Sequence, residues 1–495
     1  MKLYEIIQNL KFIGIKNYCD LEIDSLTCTY QEKTNSGMFF CIKGKKADGH
    51  EYAQLAVKNG AVCLVVEQFL PLSITQILVE DVRKAMSYIS SIFYKTQQSK
   101  MKFIGITGTN GKTTTTFVLR EILNKLNCSV GLIGTEGTYI NSLMLPPTLT
   151  TPDPIDLHKL INDMDINGCE YCIMEVSAHS IALNKIDNIM FDVVGLTNIT
   201  NDHLDFFINM DNYLKCKLSL FSAVHAKTGI VNAEVKYRNK LPGNSANKTN
   251  QLNFPIQTFG NTGDFALQTI NMGTSGTDFS FKFGQNSYSV HTNMIGEYNI
   301  MNLLLAVAVL NNLGFDIDMV VDAISKINFV VPGRFNILDV KADFNVIVDY
   351  AHTPDGIKNV LITLKKLPIN RLITVFGCGG DRDKTKRNEM GKIATQLSDI
   401  TVVTTDNPRN ENPNFIIEQI TQNLNKDKYI AIEDRATAIN YALSTAKPND
   451  VVAILGKGAE NYQEIKGIKY CYSDYAVVDA YFKQNAFLSE NSFPV

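Results

Sequence analysis

The stretch from residue 104 to residue 114 decides the fold: Ile104-Gly105-Ile106-Thr107-Gly108-Thr109-Asn110-Gly111-Lys112-Thr113-Thr114. Apolar residues that predict a buried strand lead into a glycine-rich turn, and a helix is predicted to begin at once. Backbone N–H groups of such a turn, together with the positive end of the helix, face a phosphate group. Lys112 can reach the terminal phosphates, and Thr113 can offer its hydroxyl to Mg²⁺. The usual spacing is not kept, because Ile106 and not glycine stands five residues before Gly111. Gly-Lys-Thr directly after a strand still favours nucleoside triphosphate binding over a structural turn.

Length and composition limit the class of protein. A chain of 495 residues allows for three domains, at roughly 150 residues per domain. The chain is 45% apolar with a net charge of −3, which is ordinary for a globular protein and gives no electrostatic case for nucleic acid. Its ten cysteines are scattered along the chain without a metal-like Cys/His spacing, as expected for reduced thiols. Residues 1–16 do not resemble a signal peptide, and the apolar run Leu303–Leu310 is much shorter than the roughly 20 residues of a membrane span. We therefore expect a cytoplasmic protein without a membrane span.

The order of apolar strands and turns predicts an α/β protein of three domains. The first domain, residues 1–98, contains apolar strands at Met38–Ile42 and Ala61–Val66. The second domain, residues 99–330, begins after a polar stretch and is expected to be a P-loop ATPase domain with a parallel sheet. The third domain, residues 331–495, alternates strands with helical segments, which predicts a Rossmann-like sheet.

Polar residues follow two strands of the middle domain. Glu175 ends one apolar strand, and Asp202 and His203 follow the next. Because the carboxyl ends of parallel strands meet at one edge of a sheet, a carboxylate and an imidazole can converge on the phosphate loop and hold Mg²⁺. Taken alone, Asp202 or the nearby His179 is equally well explained as a hydrogen-bonded helix cap, so both explanations stay open.

Four segments occur in the order typical of one known family: Gly108-Thr109-Asn110-Gly111-Lys112-Thr113, Glu175-Val176-Ser177, Asp202-His203-Leu204-Asp205 and Asp349-Tyr350-Ala351-His352-Thr353-Pro354-Asp355. With these segments the chain resembles the Mur ligase family. The resemblance implies a three-domain fold. Its N-terminal domain would hold a uridine nucleotide, its central domain ATP, and its C-terminal Rossmann-like domain the incoming amino acid.

The resemblance also implies contacts to ATP and to metal. The implied ATP-binding residues are Gly108, Thr109, Asn110, Gly111, Lys112, Thr113, Thr114, Asn299, Asn302, Arg334 and Asp349. The implied Mg²⁺ ligands are Thr113, Glu175, His203 and a Lys217 carbamylated by CO₂, and the catalytic set is Lys112, Glu175, His203 and Lys217. A cationic lysine cannot bind Mg²⁺, whereas its CO₂ adduct offers an anionic oxygen. Because carbamylation needs the neutral amine, the pKa of Lys217 should be lowered. Without the resemblance, Lys217 would be a charge on a solvated helix face.

The activity that the resemblance implies is ATP-dependent ligation of an acid to an amino acid. In such a reaction ATP phosphorylates a carboxylate, and the amine then attacks the acyl phosphate. Two Mg²⁺ ions and Lys112 would offset the charge on the transferring phosphoryl group. The implied reaction adds meso-diaminopimelate to UDP-N-acetylmuramoyl-L-alanyl-D-glutamate in peptidoglycan precursor synthesis. It would therefore serve cell-wall biogenesis, cell shape and cell division.

The amino-acid site is implied by three segments of the last domain. The implied residues are Arg382, Asp406, Asn407, Pro408, Arg409, Gly456 and Glu460. Asp-Asn-Pro-Arg accompanies diaminopimelate in the resembling enzymes, and the planar fork of Arg409 would bind the distal carboxylate that lysine lacks. Glu460 would take an ammonium group of the substrate. One position departs from the family pattern, because Ala459 replaces the usual histidine.

The muramoyl site is implied by Thr150, Thr151, Ser177 and Lys185. Here the chain departs further from the family, because Leu183 and Lys185 stand where glutamine and arginine are usual. Lys185 keeps the charge of an arginine and loses its bidentate geometry. In the first domain, Tyr30-Gln31-Glu32-Lys33 occupies the stretch where the family has an Asp-Ser-Arg motif, so the uridine contacts cannot be assigned.

Three alternatives to this function remain at the level of sequence. One is the lysine-adding form of the same ligase. Another is a folylpolyglutamate synthetase-like ligase. That class normally lacks a domain before the phosphate loop, whereas about a hundred residues precede the loop in this chain. The last is a non-catalytic protein regulated by a nucleotide. The partners expected for the ligase are small molecules, UDP-muramoyl dipeptide and a diamino acid, and the protein is expected to be a monomer.

Overall fold

The computed structural model describes residues 1–44, 47–147, 149–235 and 254–490. In this part of the chain, three mixed α/β units follow one another, each built around its own sheet. The sheets contain five, eleven and six strands, and a two-stranded hairpin stands apart near the end. The fold is therefore mixed α/β with large parallel sheets. The domain limits at residues 98/99 and 330/331 stay predictions.

The first sheet has the order β1-β5-β4-β3-β2, and all of its strand pairs are parallel except β1 with β5. Strands β3 and β4 are apolar on both faces, as is typical of parallel strands covered by helices. The elements are α1 (Leu3–Ile7), β1 (Gly14–Lys16), β2 (Ser25–Thr27), β3 (Gly37–Phe40), α2 (Ala53–Lys58), β4 (Ala61–Val66), β5 (Thr75–Leu78) and α3 (Val82–Phe93).

The central sheet is built on seven parallel strands in the order β14-β13-β12-β11-β6-β10-β7, with antiparallel strands at both flanks. Its strands are β6 (Lys102–Thr107), β7 (Val130–Gly134), β8 (Gly137–Ile140), β9 (Leu143–Leu145), β10 (Tyr171–Glu175), β11 (Phe191–Leu196), β12 (Ala226–Asn232), β13 (Ile256–Gly260), β14 (Phe265–Met272), β15 (Thr277–Phe283) and β16 (Asn286–Thr292). Its helices are α4 (Lys112–Lys125), α5 (Pro154–Ile166), α6 (Ala178–Ala182), α7 (Leu204–Phe207), α8 (Met210–Ser219), α9 (Glu297–Asn312) and α10 (Ile317–Ser325).

Helix α9 explains the longest apolar run of the chain. Every residue from Leu303 to Leu310 is fully buried, and the helix packs on α4 and on the strands of the central sheet. A helix that is apolar all round is a core helix of a large domain. None of the helices in the described ranges is long and apolar enough to cross a membrane.

The last sheet has the order β17-β18-β22-β19-β20-β21, and only β17 runs antiparallel to its neighbour. Helices alternate with the parallel strands, as expected for a Rossmann-like arrangement. The elements are β17 (Asn336–Leu338), β18 (Asn345–Asp349), α11 (Pro354–Lys365), β19 (Leu372–Phe376), α12 (Thr385–Leu397), β20 (Ile400–Val403), α13 (Pro413–Thr421), β21 (Ile430–Ala431), α14 (Arg435–Thr445), β22 (Val451–Leu455), β23 (Tyr462–Ile465), β24 (Ile468–Cys471) and α15 (Asp474–Glu490).

Candidate active site

The phosphate loop lies between β6, at the middle of the central sheet, and α4. Gly108 and Gly111 have positive φ angles of 148° and 86°, which favour glycine. A Cβ atom at Gly108 would collide with the Thr197 hydroxyl, and one at Gly111 would collide with the side-chain amide of Asn302. The two glycines therefore let α9 and the end of β11 approach the loop closely. Two asparagines of α9 were predicted to bind ATP. Asn302 lies at the loop, whereas Asn299, about one turn before it, donates to the Ile295 carbonyl at 2.8 Å.

Lys112 is the first residue of α4 and folds back over the loop. Its Nζ donates to the carbonyl oxygens of Gly108 and Thr109, at 3.0 Å each. Burial lowers the pKa of the Lys112 ammonium, and the carboxylates of Glu175 and Asp202 act in the opposite direction. Lys112 thus places its Nζ at the mouth of the loop, where a phosphate group would meet it.

Glu175 ends β10 beside the loop and is fully buried. Its carboxylate accepts from the Thr113 hydroxyl at 3.0 Å, from the Thr135 backbone N–H at 2.9 Å and from the Thr135 hydroxyl at 3.2 Å. All of these partners are uncharged, and a buried carboxylate with only uncharged partners is suited to a bound cation. The adjacent oxygens of Glu175 and Thr113 are hard ligands of the kind that Mg²⁺ prefers, so the residues present fit the ion.

Lys217 approaches the loop from α8. It is only 1% exposed, and its Nζ donates to the Gly108 carbonyl at 2.8 Å and lies 5.0 Å from the centre of the Tyr213 ring. Burial, aided by the positive charge of Lys112, lowers the pKa of Lys217 well below its usual value. The amine therefore has the low proton affinity that carbamylation requires, and it does not lie on a solvated helix face.

His203 lies beside these residues with a left-handed backbone, at φ 55°. Its Nε2 is 3.4 Å from an Asp202 oxygen, and its ring packs edge-on against His179 with 4.8 Å between ring centres. Burial lowers the pKa of His203 to about 3, so its imidazole is neutral and can donate a nitrogen lone pair to a metal. Asp205, the last residue of the resemblance segment, has a side chain outside the described residues. Among the described residues, no group of three or more His, Cys, Asp or Glu side chains is arranged to hold a metal, so His203 would need other ligands.

The last sheet reaches the phosphate loop through several side chains. Arg334 donates to the Thr113 hydroxyl at 3.2 Å, stacks over the Tyr350 ring at 4.1 Å and lies 3.6 Å from the carboxylate of Glu136. The Asp349 carboxylate accepts two backbone N–H groups, from Phe335 and Ala351, at 2.7 Å each, and so fixes the segment that carries Arg334. Further contacts between the two sheets are Asn110 Nδ2 to Asp355 at 3.3 Å, Thr353 to Asn110 at 3.4 Å and Lys386 Nζ to Asp202 at 3.8 Å.

The predicted muramoyl residues cluster on the other side of Glu175. The Thr150 hydroxyl is 3.0 Å from that of Thr135, and the Thr151 hydroxyl donates to the Glu175 carbonyl at 2.8 Å. Ser177 caps α6. Lys185 Nζ lies 3.4 Å from the Thr151 carbonyl and 2.9 Å from an Asp153 oxygen, so its charge is held within this cluster.

The predicted amino-acid residues meet at the carboxyl ends of β20 and β22. Asn407 Nδ2 donates to Glu460 Oε2 at 2.9 Å, and Lys457 Nζ donates to the same oxygen at 2.9 Å. Asp406 is buried beneath them. Burial acts to raise its pKa, but the positive charges of Lys457 and Arg435 outweigh it, so the pKa is lowered. Gly456 has φ 115°, and a Cβ atom there would lie 2.8 Å from the Asp406 carboxylate. Arg382 is exposed, beside Gly379 at the edge of this cluster.

Several residues of the site were missed by the sequence analysis. Glu136 faces Arg334, Lys386 faces Asp202, and Glu464 forms an ion pair with Arg409 at 3.0 Å. Burial raises the pKa of Glu136, and Glu460 in the amino-acid cluster contributes to that rise. The segment Ile465-Lys466-Gly467-Ile468 carried a turn signal for the hairpin of Glu464, but nothing in the sequence paired that hairpin with Arg409.

Comparisons with known proteins agree with this geometry. The sequence-family model of the Mur ligase middle domain matches residues 106–310, and that of the Mur ligase glutamate ligase domain matches residues 333–458. A curated relative from Clostridium acetobutylicum, UDP-N-acetylmuramoyl-L-alanyl-D-glutamate--2,6-diaminopimelate ligase 1, is 40% identical over 491 residues, which is 98% of this chain and 100% of the relative. The chain belongs to the Mur ligase family. The predicted family and α/β fold are thus confirmed.

Solved structures place this Mur ligase among ligases of similar fold. A structure of UDP-N-acetylmuramoyl-L-alanyl-D-glutamate--2,6-diaminopimelate ligase is similar over 94% of this chain and 95% of that chain, with a TM-score of 0.67 and 27% identity. A Mycobacterium tuberculosis folylpolyglutamate synthase, complexed with ADP and AMPPCP, matches 75% of this chain and 92% of its own, with a TM-score of 0.63 and 17% identity. At that identity the second likeness shows the fold alone.

Proposed function

We propose that this Mur ligase uses ATP to join 2,6-diaminopimelate to UDP-N-acetylmuramoyl-L-alanyl-D-glutamate in peptidoglycan precursor synthesis. The observation that supports ligase chemistry is the convergence of Lys112, Glu175, His203 and Lys217 around one phosphate loop. The choice of substrates follows from the full-length relative, whose name states this reaction. The alternative of a non-catalytic nucleotide-regulated protein is disfavoured, since Lys112, Glu175 and Lys217 all lie at the phosphate loop.

The phosphate loop and the start of α4 would bind the terminal phosphates of ATP through backbone N–H groups. Lys112 would turn from the carbonyl oxygens of Gly108 and Thr109 to those phosphates and offset their charge as the phosphoryl group moves to the substrate carboxylate. Arg334 would bring a second positive charge from the last sheet, because it already lies on the Thr113 hydroxyl. The amine of the amino acid then attacks the acyl phosphate, an amide bond forms, and inorganic phosphate leaves.

Mg²⁺, when bound, would screen the phosphate oxygens and orient the transferring group. Thr113 and Glu175 would hold one ion, and His203 with a carbamylated Lys217 would hold a second. Lys217 reaches the loop from a buried position that favours its neutral amine, and this supports the carbamate because only the neutral amine reacts with CO₂.

The proximal and distal ends of the diamino acid would meet different side chains. Glu460, positioned by Asn407 and Lys457, would accept from an ammonium group of the substrate. Arg409 would bind the distal carboxylate, since a guanidinium offers paired N–H groups that match a carboxylate. Lysine has no such carboxylate, which is why diaminopimelate is preferred here over the lysine-adding alternative.

The folylpolyglutamate alternative is disfavoured by the first unit of the fold. A five-stranded sheet with three helices precedes the phosphate loop. The folylpolyglutamate synthase structure matches 75% of this chain, whereas the diaminopimelate ligase structure matches 94%. The muramoyl and uridine part of the substrate would occupy this first unit and the cluster around Thr151.

Phosphate release from ATP tests the proposal. The purified chain is mixed with ATP, Mg²⁺ and UDP-muramoyl dipeptide, and meso-diaminopimelate or L-lysine is added in parallel reactions. We expect release that depends on both the dipeptide and diaminopimelate. No release with either diamino acid would contradict the ligase assignment. Release with lysine but not with diaminopimelate would contradict the choice of amino acid and leave the chemistry intact.

A further inference from the structure

The side chain of Glu464 is paired with the one arginine proposed to contact the distal end of the amino acid. Glu464 Oε2 accepts from Arg409 Nε at 3.0 Å, and the two side chains are 26% and 17% exposed. Glu464 lies on β23, in the hairpin that follows Glu460. The proposed function makes no use of this pairing.

The hairpin also fixes the backbone of Arg409. The Arg409 N–H donates to the Glu464 carbonyl at 3.0 Å, and the Lys466 N–H donates to the Arg409 carbonyl at 2.8 Å. These bonds hold Arg409 at φ 49°, a left-handed conformation that a non-glycine residue rarely adopts. The Glu464 N–H in turn donates to Asn407 Oδ1 at 2.9 Å. Hairpin and loop therefore act as one unit, with Glu464 bonded through its backbone and its side chain.

The remaining donors of Arg409 are restricted by this arrangement. A guanidinium has five N–H groups. The Nε–H is taken by Glu464, and one Nη1–H is taken by the Gly380 carbonyl at 2.7 Å. The three that are left lie on the terminal nitrogens Nη1 and Nη2. A substrate carboxylate can therefore bind only at the terminal end of the fork, in one orientation.

We propose that Glu464 is a positioning residue, and through Arg409 a determinant of specificity, for the distal end of the diamino acid. This inference rests on the proposed function. Glu464 holds the guanidinium with its terminal end toward the substrate and cancels its charge. Because the pair is neutral, an ammonium group can lie beside the carboxylate that Arg409 binds. The distal end of 2,6-diaminopimelate carries both groups, whereas a bare ammonium, as in lysine, gains nothing from the fork.

Steady-state kinetics with the whole enzyme test this inference. In Glu464→Ala we expect KM for diaminopimelate to rise about tenfold, with kcat changed by less than about threefold and KM for ATP unchanged, as for the loss of a contact that serves substrate binding. Glu464→Gln should raise that KM less, because its amide oxygen still accepts from Nε–H. Lys469→Ala, directly across the same hairpin, is the matched control and should leave all constants unchanged.

A double-mutant comparison separates positioning from a merely structural role. If Glu464 acts through Arg409, Glu464→Ala added to Arg409→Ala should change KM for diaminopimelate no further. Multiplying effects of the two substitutions would overturn the inference, and so would an unchanged KM in Glu464→Ala, even with a lowered melting temperature. A wild-type enzyme that turns over no diamino acid would instead remove the proposed function, and this inference with it.

Discussion

Lys217 differs from the other lysine of α8 in its position. It is buried against the phosphate loop and a tyrosine ring, and its pKa is lowered well below the usual range by burial. A cationic lysine in such a place would be costly, because a buried charge without a carboxylate partner is destabilising. Carbamylation would replace this buried amine by an anionic group that can bind a metal ion.

Lys217→Ala is the first prediction at this scale. We expect the ligase activity of this variant to be abolished and partly restored by short carboxylic acids such as acetate, which can enter the space of the carbamate. Phosphate release at increasing acetate concentration measures the rescue. The control is Lys215→Ala, an exposed lysine on the same helix, which should be fully active and indifferent to acetate. Full activity of unrescued Lys217→Ala would contradict the carbamate.

Glu175→Gln is the second prediction. The amide keeps the size of the side chain and one acceptor oxygen but loses the charge that would hold Mg²⁺, so we expect kcat to fall about a hundredfold or more. The melting temperature should change little, because the Glu175 carboxylate is hydrogen-bonded to uncharged groups and the substitution breaks no ion pair. Glu170→Gln, just before the other end of β10, serves as the control and should keep its activity. A Glu175→Gln enzyme with near-normal kcat would exclude a metal-binding role.

At the scale of elements, helix α5 carries a pH-sensitive contact away from the active site. His158 on this helix is buried, and its Nδ1 lies 2.9 Å from the Thr96 hydroxyl in the segment that precedes the central sheet. Burial lowers the pKa of His158 to about 3, so the folded protein holds a neutral imidazole. An unfolded chain binds a proton at this site below a pH of about 6.5.

The third prediction follows from the sign of this difference. Between about pH 6.5 and about pH 3 the unfolded state binds more protons than the folded state, so stability is lost as the pH falls, by about 1.4 kcal/mol per pH unit for one group. His158→Gln should therefore lose less melting temperature between pH 7.5 and pH 5 than the wild type does. His291→Gln, at an exposed position, should behave as the wild type. Equal acid sensitivity of His158→Gln and the wild type would contradict this role.

Most elements could be predicted from the sequence, because apolar strands and turn residues are local signals. The predicted strands at Met38–Ile42 and Ala61–Val66 are confirmed by β3 and β4, and the strand predicted before the glycine-rich turn is confirmed by β6. The positions of Glu175 and His203 at the loop could also be predicted, since parallel strands bring their carboxyl ends together. Contacts between distant segments could not. Arg409 and Glu464 are 55 residues apart, and only the folded sheet brings the hairpin onto the Asp406–Arg409 segment.

At the scale of the whole molecule, the central and last sheets meet at the phosphate loop. Arg334, Asp355 and Lys386 all come from the last third of the chain and contact Thr113, Asn110 and Asp202. ATP bound at the loop would touch both units, and we therefore expect nucleotide binding to be coupled to the approach of the amino-acid site.

Arg334→Lys is the prediction that tests this coupling. Lysine keeps the positive charge but lacks the planar guanidinium. It therefore cannot stack on the Tyr350 ring or donate paired N–H groups to Thr113 and a phosphate. We expect kcat/KM for ATP to fall about a hundredfold. The control is Lys366→Ala, which removes an exposed ion pair to Glu297 that also joins the last third of the chain to α9, at 3.6 Å and far from chemistry. A comparable loss in the control would mean that any contact between the units has this effect, and would contradict a specific role of Arg334.

The most direct measurement is a competition between the two candidate amino acids in one reaction. The enzyme is given ATP, Mg²⁺ and UDP-N-acetylmuramoyl-L-alanyl-D-glutamate with equal concentrations of meso-diaminopimelate and L-lysine. The two nucleotide products are identified and quantified by mass spectrometry. We expect the diaminopimelate product in excess of the lysine product by about a hundredfold or more, since a site built to bind a substrate group rejects the analogue that lacks it. A predominance of the lysine product, or no product of either mass, would contradict the proposed function.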